Sequence, residues 1–169
     1  MIEVVLRAVR VDVGSSTPLL LLEEVSGNRV LPIFIGAPEA TAIAYALQGI
    51  EAPRPMSHDL LGNVITALGA KLFSVEIVDL VENTFFASLR LLRGAEEIIV
   101  SARPSDAVAL ALRVGAPLLV HDDLMNAEGQ IYVADDEADE ETGEDVDEDS
   151  LLADLRSFLD NVNPEDFNQ

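Results

Sequence analysis

The sequence predicts an α+β fold made of two three-strand-plus-helix units on a mixed, mainly antiparallel sheet, and three observations carry that prediction. Strand-like segments come in consecutive threes joined by short turns and are followed by a helical segment, a pattern that argues against alternating βαβ units. The helical segments of the two halves align: setting Glu39 on Asp106 places Ala40 on Ala107, Ala42 on Ala109, Ile43 on Leu110 and Ala44 on Ala111, as expected of an internal duplication. Finally, 49 % of the 169 residues are hydrophobic, enough for a core and too many for a wholly disordered chain.

The elements follow in order. Ile2–Val13, Pro18–Val25 and Arg29–Ile35 read as strands, with Ser26-Gly27-Asn28 as a hairpin turn. In the first strand the apolar phase moves from Ile2, Val4 and Leu6 to Val9, Val11 and Val13, which predicts a bulge or break near Ala8. A helix over Glu39–Gln48 closes the first unit. The second begins with a helix from Ser57 to Leu68, stopped by Gly69, in which Leu60, Leu61, Val64, Ile65 and Leu68 are expected to form the buried stripe. Strands follow at Leu72–Leu80, Thr84–Arg93 and Glu96–Ser101, then a helix over Asp106–Val114 and a short strand over Pro117–His121. The Ala-rich helices at 39–48 and 106–114 are apolar nearly all round, as suits helices buried on more than one side.

Charge divides the chain. There are 31 acids against 10 bases, a net charge of −21, and residues 134–169 hold 15 of the acids and a single base, Arg156. Residues 134–149 therefore read as a disordered acidic linker, and 150–169 as a short amphipathic helix with its tail: Leu151, Leu152, Leu155, Phe158 and Leu159 share one helical face behind Ser150. That helix either folds back on the core or docks a partner. Residues 1–133 form the compact domain. So acidic a field repels phosphate backbones, which opposes nucleic acid as a partner. The absence of cysteine excludes disulfides, thiolate metal sites and a Cys nucleophile. No signal peptide or membrane span is visible, so a cytoplasmic protein without a membrane partner is expected. Phosphate-loop, dinucleotide, Gly-x-Ser-x-Gly and His-Glu-x-x-His motifs are absent, as is a basic, aromatic-lined groove.

Few residues are left to carry chemistry. Ser57-His58-Asp59 opens a helix: His58 is a candidate general base or metal ligand with Asp59 beside it, while Ser57 as N-cap and Asp59 as a first-turn acid are the plain reading. At Arg103-Pro104-Ser105-Asp106 a strand-end arginine can grip a phosphate, or pair with an acid and lock the corner, with Ser105 as the helix cap. If Glu39 and Asp106 approach each other across the duplication, they can hold a divalent cation. His121-Asp122-Asp123 offers either a hard-metal set or a capped turn into a short helix.

Arg54-Pro55-Met56-Ser57-His58-Asp59-Leu60-Leu61, Ser101-Ala102-Arg103-Pro104-Ser105-Asp106-Ala107, Arg113-Val114-Gly115-Ala116-Pro117 and Leu31-Pro32-Ile33-Phe34-Ile35-Gly36-Ala37-Pro38-Glu39-Ala40 closely resemble the bifunctional nuclease domain family. The resemblance runs from about Met1 to Val133. It implies a compact α+β domain, found in bacteria and plants and named for proposed cleavage of both DNA and RNA. Bacterial members often append a short C-terminal module, whose place the helix at Ser150–Leu159 is expected to take. The family's motif positions fall on Glu39, His58, Asp59, Arg103, Ser105 and Asp106.

Two functions are therefore expected. One is a metal-assisted phosphodiesterase, in which Glu39, Asp59 and Asp106 hold Mg²⁺ or Mn²⁺, His58 is the base and Arg103 clamps the phosphate. The other is a non-enzymatic interaction module, a homo-oligomeric platform whose acidic tail and terminal helix bind or mask a partner. Buried Ala-rich helices and free strand edges suggest a dimer or trimer.

Overall fold

A computed structural model describes residues 1–12, 14–50 and 52–131. The acidic linker and the terminal helix lie outside the described residues. Within them the chain runs β1 (Ile2–Asp12), β2 (Thr17–Glu24), β3 (Arg29–Phe34), α1 (Ala37–Leu47), α2 (Ser57–Ala67), β4 (Lys71–Val81), β5 (Thr84–Arg93), β6 (Glu96–Ala102), α3 (Pro104–Val114), β7 (Leu118–Val120), α4 (Asp122–Glu128) and β8 (Gln130–Ile131). The α+β reading holds, and the two strand triplets begin and end within two residues of their expected bounds.

The strands form one eight-stranded sheet in the order β6-β5-β4-β7-β1-β2-β3-β8. Each triplet is an antiparallel meander. Strand β7 joins them, antiparallel to β1 and parallel to β4. The two meanders consequently run in opposite directions on either side of β7, the arrangement expected when duplicated halves are related by a two-fold axis through the sheet. In β1 the pairing with β2 slips between Leu6 and Ala8, so Arg7 is the extra residue that carries the apolar phase from even to odd positions. On one sheet face Leu6, Leu22 and Leu31 line up across the first meander, and Val75, Leu89 and Leu118 lie together across the second meander and β7. The other face carries the Arg7–Glu23 and Glu76–Arg90–Glu97 ion pairs.

Helix α3 is the centre of the helical layer. It packs against α1, α2, β4 and β5 and buries seven of its eleven residues, Pro104, Ser105 and Ala107 to Ala111. Small alanines let its neighbours approach closely. Gly115, in the left-handed region at φ 68°, ends it. Helix α1 buries only Ala42 and Ile43.

Helix α2 departs from expectation. Of its proposed buried stripe only Ile65 is buried, together with Gly62, which lies against Val114 and Leu110. Leu60, Leu61, Val64 and Leu68 are exposed. Five apolar residues in twelve span more of the helix circumference than α3 and the smaller contact with β4 cover. Among the described residues no helix is long and apolar enough to cross a membrane.

Candidate functional site

Three helices open with an acid at the same position. Glu39 in α1, Asp59 in α2 and Asp106 in α3 are each the third residue after the N-cap, where free backbone amides and the positive end of the helix dipole favour a carboxylate. The caps are Gly36, Met56 and Arg103, so Ser57 and Ser105 sit inside their helices rather than capping them, and no side-chain cap bond is made by either. Ser105 is buried. Prolines after Gly36 and after Arg103 start α1 and α3 two residues earlier than their first acids suggest.

The three acids are used differently. Asp106 faces Arg103 and His58: its Oδ2 accepts from Arg103 Nε at 2.7 Å, and its Oδ1 from Arg103 NH2 at 3.1 Å and His58 Nε2 at 3.1 Å. The same guanidinium reaches Glu39 Oε1 with NH1 at 2.9 Å. Gly36 makes room for this, since a Cβ there would meet the Glu39 carboxylate. Glu39, Arg103, Asp106 and His58 thus form one continuous chain joining the first turns of α1, α2 and α3. Burial raises the Asp106 pKa, but the Arg103 and His58 hydrogen bonds outweigh it and hold the carboxyl below its ordinary value; Asp106 in turn raises that of Arg103.

Hydrogen-bond direction follows from these contacts. An ionised carboxylate only accepts, so His58 Nε2 donates to it, which in the neutral ring leaves the lone pair on Nδ1. The imidazole is largely covered, at 14 % side-chain exposure, whereas Arg103 is 65 % exposed. Three of the five guanidinium N–H donors face Glu39 and Asp106, and two lie outside these pairs.

Asp59 has other partners. Its Oδ2 accepts from the Met56 amide at 2.9 Å, capping α2, and its Oδ1 takes Arg113 Nε at 2.5 Å. Arg113, only 11 % exposed, also donates to Ala109 O at 2.8 Å and Ala42 O at 3.0 Å. One side chain thereby ties α1, α2 and α3. The Met56 amide first, then Arg113 and His58, lower the Asp59 pKa against the opposing effect of burial.

Comparison with known proteins places this geometry. The model of the bifunctional nuclease domain matches residues 20–132, a span that contains the whole cluster. The chain belongs to the bifunctional nuclease domain family. It is 48 % identical over 165 residues to an uncharacterised protein of Mycobacterium tuberculosis, covering 98 % of this chain and 97 % of that one. Bifunctional nuclease 1 of Oryza sativa subsp. indica is 27 % identical over 106 residues, covering 61 % of this chain and 32 % of the plant protein. Bifunctional nuclease 1 of Arabidopsis thaliana is 24 % identical over 121 residues, with 70 % and 37 % covered.

Within the bifunctional nuclease domain, then, four of the expected site residues meet: Glu39, His58, Arg103 and Asp106. The three expected metal ligands do not. Arg103 stands between Glu39 and Asp106 where a cation was expected, Asp59 gives both its oxygens to Met56 and Arg113, and no three acidic or imidazole side chains among the described residues form a metal-holding group. The residues as arranged do not fit a resident Mg²⁺ or Mn²⁺. His121 caps α4, with Asp122 and Asp123 in its first turn, and Asp122 pairs with the N-terminal amine of Met1. The turn into a short helix, not the metal set, is what forms there, though no side-chain cap bond is made. Sequence reasoning missed Arg113 as a positioning residue; its signal is a lone cation in the last turn of a helix that is otherwise almost wholly apolar.

Proposed function

We propose that this chain is a nuclease that hydrolyses phosphodiester bonds of RNA or DNA at the Arg103–Asp106–His58 cluster. The observation that carries the reading is the continuous Glu39–Arg103–Asp106–His58 chain at the meeting of three helix starts, inside the segment shared with the family. Each member has a role that phosphodiester hydrolysis needs. The two free N–H donors of Arg103 suit a phosphate oxygen, and Glu39 fixes the plane of the guanidinium. His58 Nδ1 takes a proton from water as its oxygen attacks phosphorus. Asp106 orients the ring and stabilises the imidazolium that forms. The P–O bond to the leaving oxygen breaks, and that oxygen takes its proton from solvent. Asp59 positions His58 by fixing the first turn of α2.

The net charge of −21 opposes a polyanion, so the substrate is held locally at Arg103 and the helix starts rather than by a long-range field. The test is cleavage of end-labelled RNA and DNA oligonucleotides by the full chain, with and without Mg²⁺ or Mn²⁺. Asp106→Asn and His58→Gln are each expected to lose about 10²-fold or more of the rate. Cleavage unchanged by both substitutions would reject the assignment.

A further inference from the structure

We propose that α2 is a self-complementary docking face on which a second copy of this chain packs, antiparallel, about a two-fold axis through Val64. Leu60, Val64 and Leu68 are 55 %, 44 % and 67 % exposed, and their i, i+4, i+8 spacing lines them along one ridge of the helix. Leu61 flanks the ridge at 39 %. A soluble domain gains by covering such a stripe. The stripe is symmetric about Val64, so a two-fold places Leu60 of each copy on Leu68 of the other, as an isologous interface requires.

Charge favours a second copy at this place. Two chains of net charge −21 repel, and association has to use a neutral surface. No charged residue occurs between Asp59 and Lys71. Antiparallel packing also sets the positive dipole end of one helix beside the negative end of the other. It brings the first turn of one α2, with Asp59, near the segment following the other α2, where Lys71, the chain's single lysine, is exposed. The free edge of β6 is less suited, since it opens with Glu96 and Glu97. An eleven-residue helix is about 16 Å long, so the interface is small and the dimer dissociates on dilution.

The chain has no cysteine, which permits a clean test. In the full chain, Val64→Cys is expected to form an interchain disulfide under mild oxidation far faster than Ile99→Cys on β6 or Phe34→Cys on β3. Sedimentation of the unmodified chain is expected to show a concentration-dependent dimer. Val64→Glu, at a half-exposed position and with unchanged circular dichroism, weakens that dimer about tenfold or more. A chain monomeric at every concentration, a dimer indifferent to Val64→Glu, or cross-linking through position 99 or 34 in preference to 64 would each overturn the proposal. None of these readouts depends on nuclease activity.

Discussion

Arg103 and Arg113 stand at opposite ends of α3, and each holds an aspartate from the third position of a helix. They do opposite work. Arg113 is 11 % exposed and directs three of its five donors to Asp59 and two backbone carbonyls of α1 and α3, so it is burial that keeps a ligand from the other two. Arg103 is 65 % exposed, and its acids, Glu39 and Asp106, occupy three of its five donors. A buried arginine with backbone partners is a strut. An exposed arginine with spare donors beside a carboxylate-held imidazole is a place for an anion to arrive. Residue type alone does not separate the two; exposure and partners do.

The largest effect expected of any single change is on the strut. Arg113→Ala removes a donor from the Ala42 carbonyl, the Ala109 carbonyl and Asp59 at a buried junction of three helices, and is expected to cost about 2–4 kcal/mol of stability, read as a lowered unfolding midpoint in urea. Arg113→Lys keeps the charge but not the fork, and is expected to recover less than half of that loss. If Arg113→Ala melted like the parent, the contrast between the two arginines would collapse.

Next comes the exposed Arg103, where the effect moves from stability to rate. Arg103→Ala is expected to change stability by at most about 1 kcal/mol, because exposed ion pairs contribute little, while slowing cleavage about 10²-fold through loss of the phosphate contact. Comparing chemical denaturation with single-turnover rates for the same preparation sharpens the distinction.

Acid pH probes both clusters together. Asp59 and Asp106 have folded pKa values below their ordinary ones, so their contribution to stability is complete above the unfolded carboxylate value of about 4 and is lost as pH falls through the lower folded values. Urea midpoints are expected to hold between about pH 7 and 5 and to drop below about 4. Asp59→Asn, already lacking its share, is expected to show a shallower drop. An equal slope in parent and variant would mean that Asp59 is not linked to folding.

The smallest effect concerns salt. With one arginine clamp set in an acidic body, KM for a short oligonucleotide is expected to stay within about threefold between 50 and 200 mM salt, whereas a basic nucleic-acid binder loses affinity steeply. A steep loss here would point to cations elsewhere in the chain.

Much of this was legible in the residues. The phase change around Arg7, the paired strand triplets and the alignment of Glu39 with Asp106 all predicted features that formed, because each is a local signal of periodicity or capping. From the same alignment an approach of Glu39 to Asp106 could be raised as a condition, with a cation between them rather than Arg103, while His58 and Arg103 stood out only on their own segments. What could not be read locally is which oxygen goes to which donor. Asp59 and Asp106 look alike in sequence as first-turn acids, yet one caps its own helix and binds Arg113 while the other faces Arg103 and His58. The exposure of Leu60, Val64 and Leu68 escaped for a similar reason: an apolar stripe shows that a face needs cover but not whether the same chain supplies it. Strand β8 is too short for periodicity to reveal, and α4 could be read only as one of two alternatives at His121-Asp122-Asp123.

The central claim is that Arg103 serves substrate while Arg113 serves the fold. Single-turnover cleavage of a labelled RNA by Arg103→Ala, at a temperature where its circular dichroism matches the parent, tests it most directly. A rate about 10²-fold lower with an unchanged unfolding midpoint is the expected result. Cleavage at the parental rate, or a loss that only tracks unfolding, would contradict it.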